Sequence, residues 1–427
     1  MTADLASMHD PNSAAYKKAR RKYNKSTKAR PDTADLEWTP FRAAEKRFKA
    51  RFPPPDLRED VIDLALLEDE GEGERREEIE AGWWRGRLPH EEEVVEVGLE
   101  GRRGYAFPSI PGLVLLPNFI SKRQQRDLIR WALRDHARPP NVTNLDTHYD
   151  MPEFGLWNTS VYSPDEVVRP LAATSTSSST ESSGPRPLIS NTPASPGTLS
   201  ELIAVPKPPP PPSSSVPALP ASSLLYKLRW ANIGWFYHWT SKMYDFSKGK
   251  VEVDERVRAL CKSAVGSVKW NNVFGDDEEG DQWDGGKADW DMWDETYEPD
   301  AGIVNYYQEK DTLMGHVDRS EVCATSPLVS VSLGNAAVFL IGGQTRDVKP
   351  TPILLRSGDV VIMSGPRCRR AYHGVPRILE GTLPKHLSEG SQDEDVDWAP
   401  YAKYMRTTRI NINVRQVFPK GFVPPVS

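Results

Sequence analysis

GIVNYYQE (302–309), PLVSVSL (327–333), AAVFLIG (336–342), PILLR (352–356), DVVIMS (359–364) and RININVRQV (409–417) are six short runs rich in branched and aromatic residues, separated by glycine and proline. Such runs read as strands. Short strands recurring at intervals of about 8 to 12 residues argue for a sandwich or barrel. The expected architecture is a double-sheet jelly roll, a double-stranded β-helix, within an α+β chain. In the last run, period two puts Arg409, Asn411, Asn413 and Arg415 on one face and Ile410, Ile412 and Val414 on the other.

Upstream of this core lies a strand-then-helix unit. GLVLLPNFI from Gly112 reads as a strand, and Ser121 suits the N-cap of the amphipathic helix KRQQRDLIRWALRDH, with Leu128, Trp131 and Ala132 facing inward. From Pro40, Phe41, Phe48 and Phe52 recur at near-helical spacing and Leu57 to Leu67 continues the pattern, followed by the acidic stretch EDEGEGERREEIE. Residues 40–162 are therefore expected to form an N-terminal, largely helical part of the catalytic unit, covering its core like a lid.

Three segments stand apart by composition. Residues 1–39 hold the basic run KKARRKYNKSTKAR (17–30) with little to bury, and read as a disordered tail, either a solvated arm or a nuclear-targeting or RNA-contacting segment. Residues 163–222 are dominated by Ser, Thr and Pro, which cannot bury enough surface to offset the entropy of ordering, and read as a disordered insertion. Within the main unit, 223–418, an acidic insertion (276–300) and a polar one (381–404) are expected, with 419–427 as a tail. The acidic one holds twelve carboxylates against Lys287, with Trp283, Trp290 and Trp293 among them, and reads as a mobile surface element or an exposed docking motif. About 300 residues remain to fold around one core.

Net charge is −6, but so much of the acid is concentrated in 276–300 that the rest of the chain is net basic and compatible with nucleic acid. Cys261, Cys323 and Cys368 are too few and too irregular for a disulfide framework. No apolar run approaches the roughly 18 to 20 residues that span a bilayer. A soluble intracellular protein is expected, nuclear, cytoplasmic or mitochondrial.

The chemistry is concentrated in few residues. His316 and Asp318 are two apart, so at the end of a strand both side chains leave the same face and can grip one ion. A second imidazole from a facing strand would complete the facial triad that leaves three positions open on iron(II). Downstream there are only His373 and His386 to choose from. His373 follows the strand DVVIMS, whereas His386 lies in a polar stretch, so His373 is the assigned ligand. Burying two arginines and two amides on the face of RININVR is costly unless a carboxylate ligand satisfies them. 2-Oxoglutarate has a carboxylate at each end. Asn305 and Tyr307, again two apart, present a matching polar face.

NYYQEKDTLMGHVDRSE (305–321), YHGVPR (372–377) and RININVRQV together resemble the AlkB dioxygenases, and within them the homologue-one branch, in a fungal form with low-complexity insertions. LRWANIGWFYHWTSKMY (228–244) is similar to that branch upstream of the core. The resemblance covers about 112–162 and 224–417. It implies that His316, Asp318 and His373 hold Fe(2+), that Arg409 pairs with the distal carboxylate of 2-oxoglutarate, and that Asn305, Tyr307, Asn411 and Arg415 complete the pocket. It also implies the reaction: decarboxylation of the co-substrate to succinate activates O2, which hydroxylates an N-methyl group that leaves as formaldehyde. The implied substrate is a methylated base, in transfer RNA or in DNA. Trp230 falls near a base-contacting aromatic of the family, though it also reads as a core residue. Asn413, where many members carry Thr, and Ser320, where the bacterial enzyme is acidic, depart from the pattern and bear on substrate preference. The alternatives are a protein-hydroxylating oxygenase of the same fold, or a non-catalytic scaffold whose Ser/Pro insertion recruits partners.

Overall fold

The computed structural model describes residues 5–27, 37–67, 73–99, 101–172, 193–275, 283, 288–390, 397–419 and 422. Its strands in chain order are β1 Val95–Glu96, β2 Tyr105–Ala106, β3 Leu113–Leu116, β4 Val167–Val168, β5 Leu219–Pro220, β6 Trp230–Gly234, β7 Tyr237–His238, β8 Met243–Tyr244, β9 Ala301–Gln308, β10 Leu313–His316, β11 Leu328–Gly334, β12 Ala337–Ile341, β13 Thr351–Leu355, β14 Val360–Met363, β15 His373–Ile378 and β16 Thr408–Arg415. Two antiparallel sheets carry the architecture. The major sheet runs β1-β2-β3-β14-β11-β16-β9-β6 and the minor sheet β10-β15-β12-β13.

The two faces of β16 are used as their alternation demands. Ile410, Ile412 and Val414 are fully buried in a cluster with Ile129, Trp131 and Leu133, so the amphipathic helix predicted after Ser121 backs the major sheet. That helix, Lys122–Arg130, begins with a reciprocal capping box between Ser121 and Gln124 and runs on as a π-helical turn, Trp131–His136. On the other side, Tyr307 and Leu328 of the major sheet pack with Leu313, Phe339 and Val375 of the minor sheet, which identifies the inner face of the roll.

The minor sheet is covered in turn by helix α2, Pro40–Lys49, capped by Thr39. Phe41 and Phe48 lie seven apart on one side of it and pack on Val338, Leu340 and Leu354. Each such burial is worth roughly 2 to 3 kcal/mol. The helix stops at Lys49, so Phe52 lies beyond it. Leu57 to Leu67 does not extend it: Ile62 bridges Ile353 and Arg87 in strand fashion before a short 3-10 turn at Leu64–Leu67.

Composition misled in four other places. The basic run expected as a disordered tail is helical over Ala14–Thr27, here called helix α1, and its Tyr16 and Tyr23 rings pack on Phe52. The expected Ser/Pro insertion holds ordered elements on both sides of its undescribed part. Its ends pair as β4 with β5, and Ala194 and Leu199 are buried with Tyr244, Val322 and Val417; residues 173–192 lie outside the described set. The tryptophans of the acidic segment are not an exposed motif: Trp283 and Trp293 are buried around Phe274 and Trp270, with Trp290 packed against the same cluster, while 276–282 and 284–287 lie outside the described residues. The stretch 381–404 supplies Leu387, Trp398, Tyr401 and Tyr404 to the core, with helix Ala399–Met405 at its end; 391–396 are outside the described set. Among the described residues, no helix is long and apolar enough to cross a membrane.

Candidate metal centre

β10 ends on His316 and β15 begins on His373, and the antiparallel register sets these residues directly opposite each other at the mouth of the roll. Their rings are 4.4 Å apart between centroids. Asp318 follows two residues after His316, and its Oδ1 stands 3.6 Å from His316 Nε2. One ligand atom from each of His316, Asp318 and His373 lies within 4.8 Å of the others, a spacing that fits a single ion. The imidazoles are held ready for this. His316 Nδ1 bonds the carbonyl of Met314 and His373 Nδ1 that of Ala371, both at 3.0 Å. A carbonyl only accepts, so each Nδ1 carries the proton and each Nε2 keeps its lone pair for the metal.

The electrostatics agree with that role. Burial alone would raise the carboxyl of Asp318, but the Arg415 guanidinium, with His373 and His316, overrides it and holds the group well below the usual carboxylate range. Burial pulls His373 down to about 4, and the neighbouring His316 adds to this. A deprotonated carboxylate and neutral imidazoles are the forms a divalent cation requires. His386 is elsewhere, bonded through Nε2 to Gln125 Oε1 at 3.0 Å.

Beside the triad the inner face of the major sheet forms ordered rows. Trp230, Asn305, Asn411 and Ser332 face one another across β6, β9, β16 and β11, and Tyr307, Arg409 and Gly334 make the adjoining row. Arg409 is 1% exposed. It donates through Nη2 to Ser332 Oγ at 2.7 Å and through Nη1 to the Asn335 carbonyl at 3.1 Å, while its Nε has no partner among the described residues. Burial draws its pKa down to about 10. Its hydrogen bonds go to a hydroxyl and a carbonyl, not to a carboxylate, an arrangement that suits an anionic ligand. Asn411 donates to Ser330 Oγ at 2.8 Å and to the Val331 carbonyl, and Asn413 Oδ1 is buried without a partner among the described residues.

Comparison with known proteins agrees. The model of the 2OG-Fe(II) oxygenase superfamily matches residues 213–415. A mouse (Mus musculus) protein named nucleic acid dioxygenase ALKBH1 is 30% identical, over 78% of this chain and 71% of its own length. The chain belongs to the AlkB family of 2OG-Fe(II) oxygenases. An Arabidopsis thaliana protein named DNA N(6)-methyladenine demethylase ALKBH1A is 28% identical over 90% of this chain and 97% of its own. A Schizosaccharomyces pombe protein named tRNA demethylase abh1 is 29% identical over 74% and 82%.

As an oxygenase of this family the protein uses iron(II) and 2-oxoglutarate, and the donor set fits both: two imidazoles and a carboxylate for the cation, a buried guanidinium for the acid. The oxygenase also has residues around the site that sequence reasoning did not single out. Glu321 is buried and shares Arg415 with Asp318, at 2.7 Å from each carboxylate. Arg370 Nη1 grips the Asp318 carbonyl at 2.7 Å. The hairpin β7–β8 adjoins the metal-site loop through Ser320 Oγ, which donates to the Lys242 carbonyl at 2.9 Å. Tyr237 on that hairpin also bonds Ser320, and burial pushes its hydroxyl up to about 12. Trp239, beside it, stacks on Trp230 with centroids 4.8 Å apart. The departure noted at Ser320 was the one sequence signal for this contact.

Proposed function

We propose that this oxygenase removes N-methyl groups oxidatively from nucleobases, in transfer RNA first and in DNA second. The observation that carries the reading is the inner row of the major sheet: Trp230 directly opposes Asn305 in register and is stacked by Trp239, which is 38% exposed. An indole on this face, backed by a second ring, suits stacking of a base turned out of its strand. The printed names of the mouse, Arabidopsis and fission-yeast relatives, which refer to nucleic acid, DNA and tRNA, support the same substrate class.

In this reading His316, Asp318 and His373 hold iron(II), while Arg409 pairs with the distal carboxylate of 2-oxoglutarate and Asn305, Tyr307, Asn411 and Arg415 line the remainder of its pocket. Bound there, the metal and co-substrate supply a two-electron oxidant from O2. The balance is closed: the N-methylated base, O2 and 2-oxoglutarate give the base with N–H in place of the methyl group, formaldehyde, succinate and CO2. One oxygen atom enters succinate. The other enters the methyl C–H bond, and the resulting hydroxymethyl group leaves with cleavage of its C–N bond. The chain's own contribution is orientation. Arg415 would fix which oxygen of Asp318 is offered to the metal, and Trp230 with Trp239 would hold the base beside the triad.

For a protein-hydroxylase, exposed tryptophans in the acidic segment would have offered a docking element. Trp283 and Trp293 are buried, so that reading loses this support. The test is to incubate purified protein with iron(II), ascorbate, 2-oxoglutarate and bulk methylated transfer RNA, and to measure succinate, formaldehyde and nucleoside composition. Asp318→Ala serves as control. RNA-stimulated succinate with matching loss of a methylated nucleoside is expected. Succinate that rises only with peptide substrates would overturn the assignment.

A further inference from the structure

Helix α1 carries Lys17, Lys18, Arg20, Arg21, Lys22 and Lys25 with no acidic residue. All six are exposed, and among the described residues none forms a salt bridge. At 100° per residue, Lys18, Arg21, Lys22 and Lys25 fall at i, i+3, i+4 and i+7 and form one stripe. Tyr16 and Ala19 lie away from this stripe and are half-buried. The helix therefore presents its cations to solvent and its small apolar side to the body. Tyr16 and Tyr23 meet Phe52 at 5.0 and 5.8 Å between ring centroids.

What matters is where Phe52 sits. The preceding residue, Arg51, donates to the carbonyl of Glu309, and Lys49 Nζ is 3.4 Å from Thr312 Oγ1. Both partners belong to the turn between β9 and β10, and β10 ends on His316. The other side of this turn meets the strand of Trp230: Arg229 Nε is 3.1 Å from Asp311 Oδ2. Lys310, exposed in the same turn, lies between these contacts in sequence. The turn at 309–312 thus links the docked basic helix to Arg229, the neighbour of Trp230, and leads into the strand that ends on His316.

From this placement we infer that α1 is a phosphate-contacting arm, which grips the sugar-phosphate backbone of a single-stranded nucleic acid whose flanking base is turned toward Trp230. The inference rests on the nucleic-acid reading above. Fourteen residues of helix extend about 21 Å, enough to meet several consecutive phosphates. An unneutralised cation stripe carries a modest like-charge repulsion when solvated, and it relieves this and gains affinity through counterion release when phosphates cover it. Such an arm adds affinity and orientation without reading sequence. It acts on polymers and leaves a lone nucleoside untouched.

The experiment uses the full chain and the quadruple variant Lys18→Gln, Arg21→Gln, Lys22→Gln, Lys25→Gln; glutamine keeps helix propensity close to that of the residues replaced. Binding of a short fluorescein-labelled single-stranded RNA is measured by anisotropy across a salt series, alongside succinate production without nucleic acid. Wild-type affinity falling steeply with salt, the variant's slope of log K against log salt shallower by about 2 to 3, affinity at least about ten-fold weaker near 0.1 M salt, and basal succinate unchanged are the expected results. If wild type binds RNA and the variant keeps the same slope and affinity, the arm is refuted while the demethylase reading stands. If wild type shows no salt-dependent binding of RNA, the arm is refuted, and succinate stimulated by methylated nucleic acid decides the demethylase reading separately.

Discussion

Arg415 Nη1 donates to Asp318 Oδ2 at 2.7 Å, so the carboxylate is pinned by one oxygen while the other, Oδ1, is turned toward His316. Held in this way, Asp318 would offer Oδ1 to a metal ion, and Arg415 would keep it in that orientation. Arg415→Ala frees Asp318 to rotate and leaves Glu321 buried without its counter-charge. We expect metal affinity to fall by about 10- to 100-fold, read by calorimetric titration with Mn(II) as a redox-inert probe. Unchanged affinity would mean that Asp318 needs no such pin.

Arg409 predicts a separable defect. Lysine retains the charge but loses the planar fork that donates to Ser332 and Asn335. Arg409→Lys is expected to raise the KM for 2-oxoglutarate at least about ten-fold, roughly 1.4 kcal/mol, while leaving Mn(II) affinity within experimental scatter. The check is succinate formation against co-substrate concentration. An unaltered KM would remove Arg409 from the co-substrate pocket.

Gly315 precedes the first ligand and lies under helix α2. A Cβ there would stand 2.4 Å from Phe41 Cε1 and 3.0 Å from Glu45 Oε1, and the Gly315 amide donates to that same Glu45 oxygen. Gly315→Ala must push α2 off the minor sheet. A loss of about 1 to 3 kcal/mol in stability is expected, read from urea unfolding, together with weaker Mn(II) binding because His316 moves with β10. A variant as stable as wild type would show that α2 yields without cost.

His136 gives a pH signature away from the metal. It is buried against Trp131, its Nε2 unbonded among the described residues, and burial lowers its pKa from 6.5 to about 4. The folded state therefore binds the proton less readily than the unfolded chain. Its stability contribution is complete above pH 6.5 and is lost as pH falls through 4, by on the order of 3 kcal/mol. Replacement by Phe should flatten this part of the acid dependence. The comparison is the unfolding free energy of wild type and His136→Phe between about pH 7 and pH 4; parallel curves would sink the assignment.

The core of the site was legible because its residues obey period two within long, regular strands. β9 and β16 contribute Asn305, Tyr307, Arg409, Asn411 and Arg415 from runs with clear alternation, and the register joins them. The strands bearing the imidazoles were not separately legible: LMGH and HGVPRI are short and interrupted by glycine, proline and histidine, so only the H-x-D spacing and a distant histidine marked them. Charge density hid the rest. Trp283 and Trp293 anchor an acidic segment from inside it, and Trp398 and Tyr401 do the same in a polar one, because a few large rings can hold a segment whose mean hydropathy says surface. Trp239 was invisible as a partner of Trp230, since the two are brought together by the hairpin turn and not by strand periodicity.

The pairing of β4 with β5, Val167 against Pro220 and Val168 against Leu219, brings both ends of the Ser/Pro segment side by side. Evolution can then treat the span between them as a splice point. Once the ends of a segment are clamped, each doubling of its length adds only about 0.6 kcal/mol of closure entropy, so length can drift at points in the span that the core does not hold, whereas Ala194 and Leu199 stay tied to it beside Tyr244, Val322 and Val417. A reporter domain grafted between Leu171 and Ala194 should be tolerated for the same reason, giving a tagged enzyme with both its termini untouched.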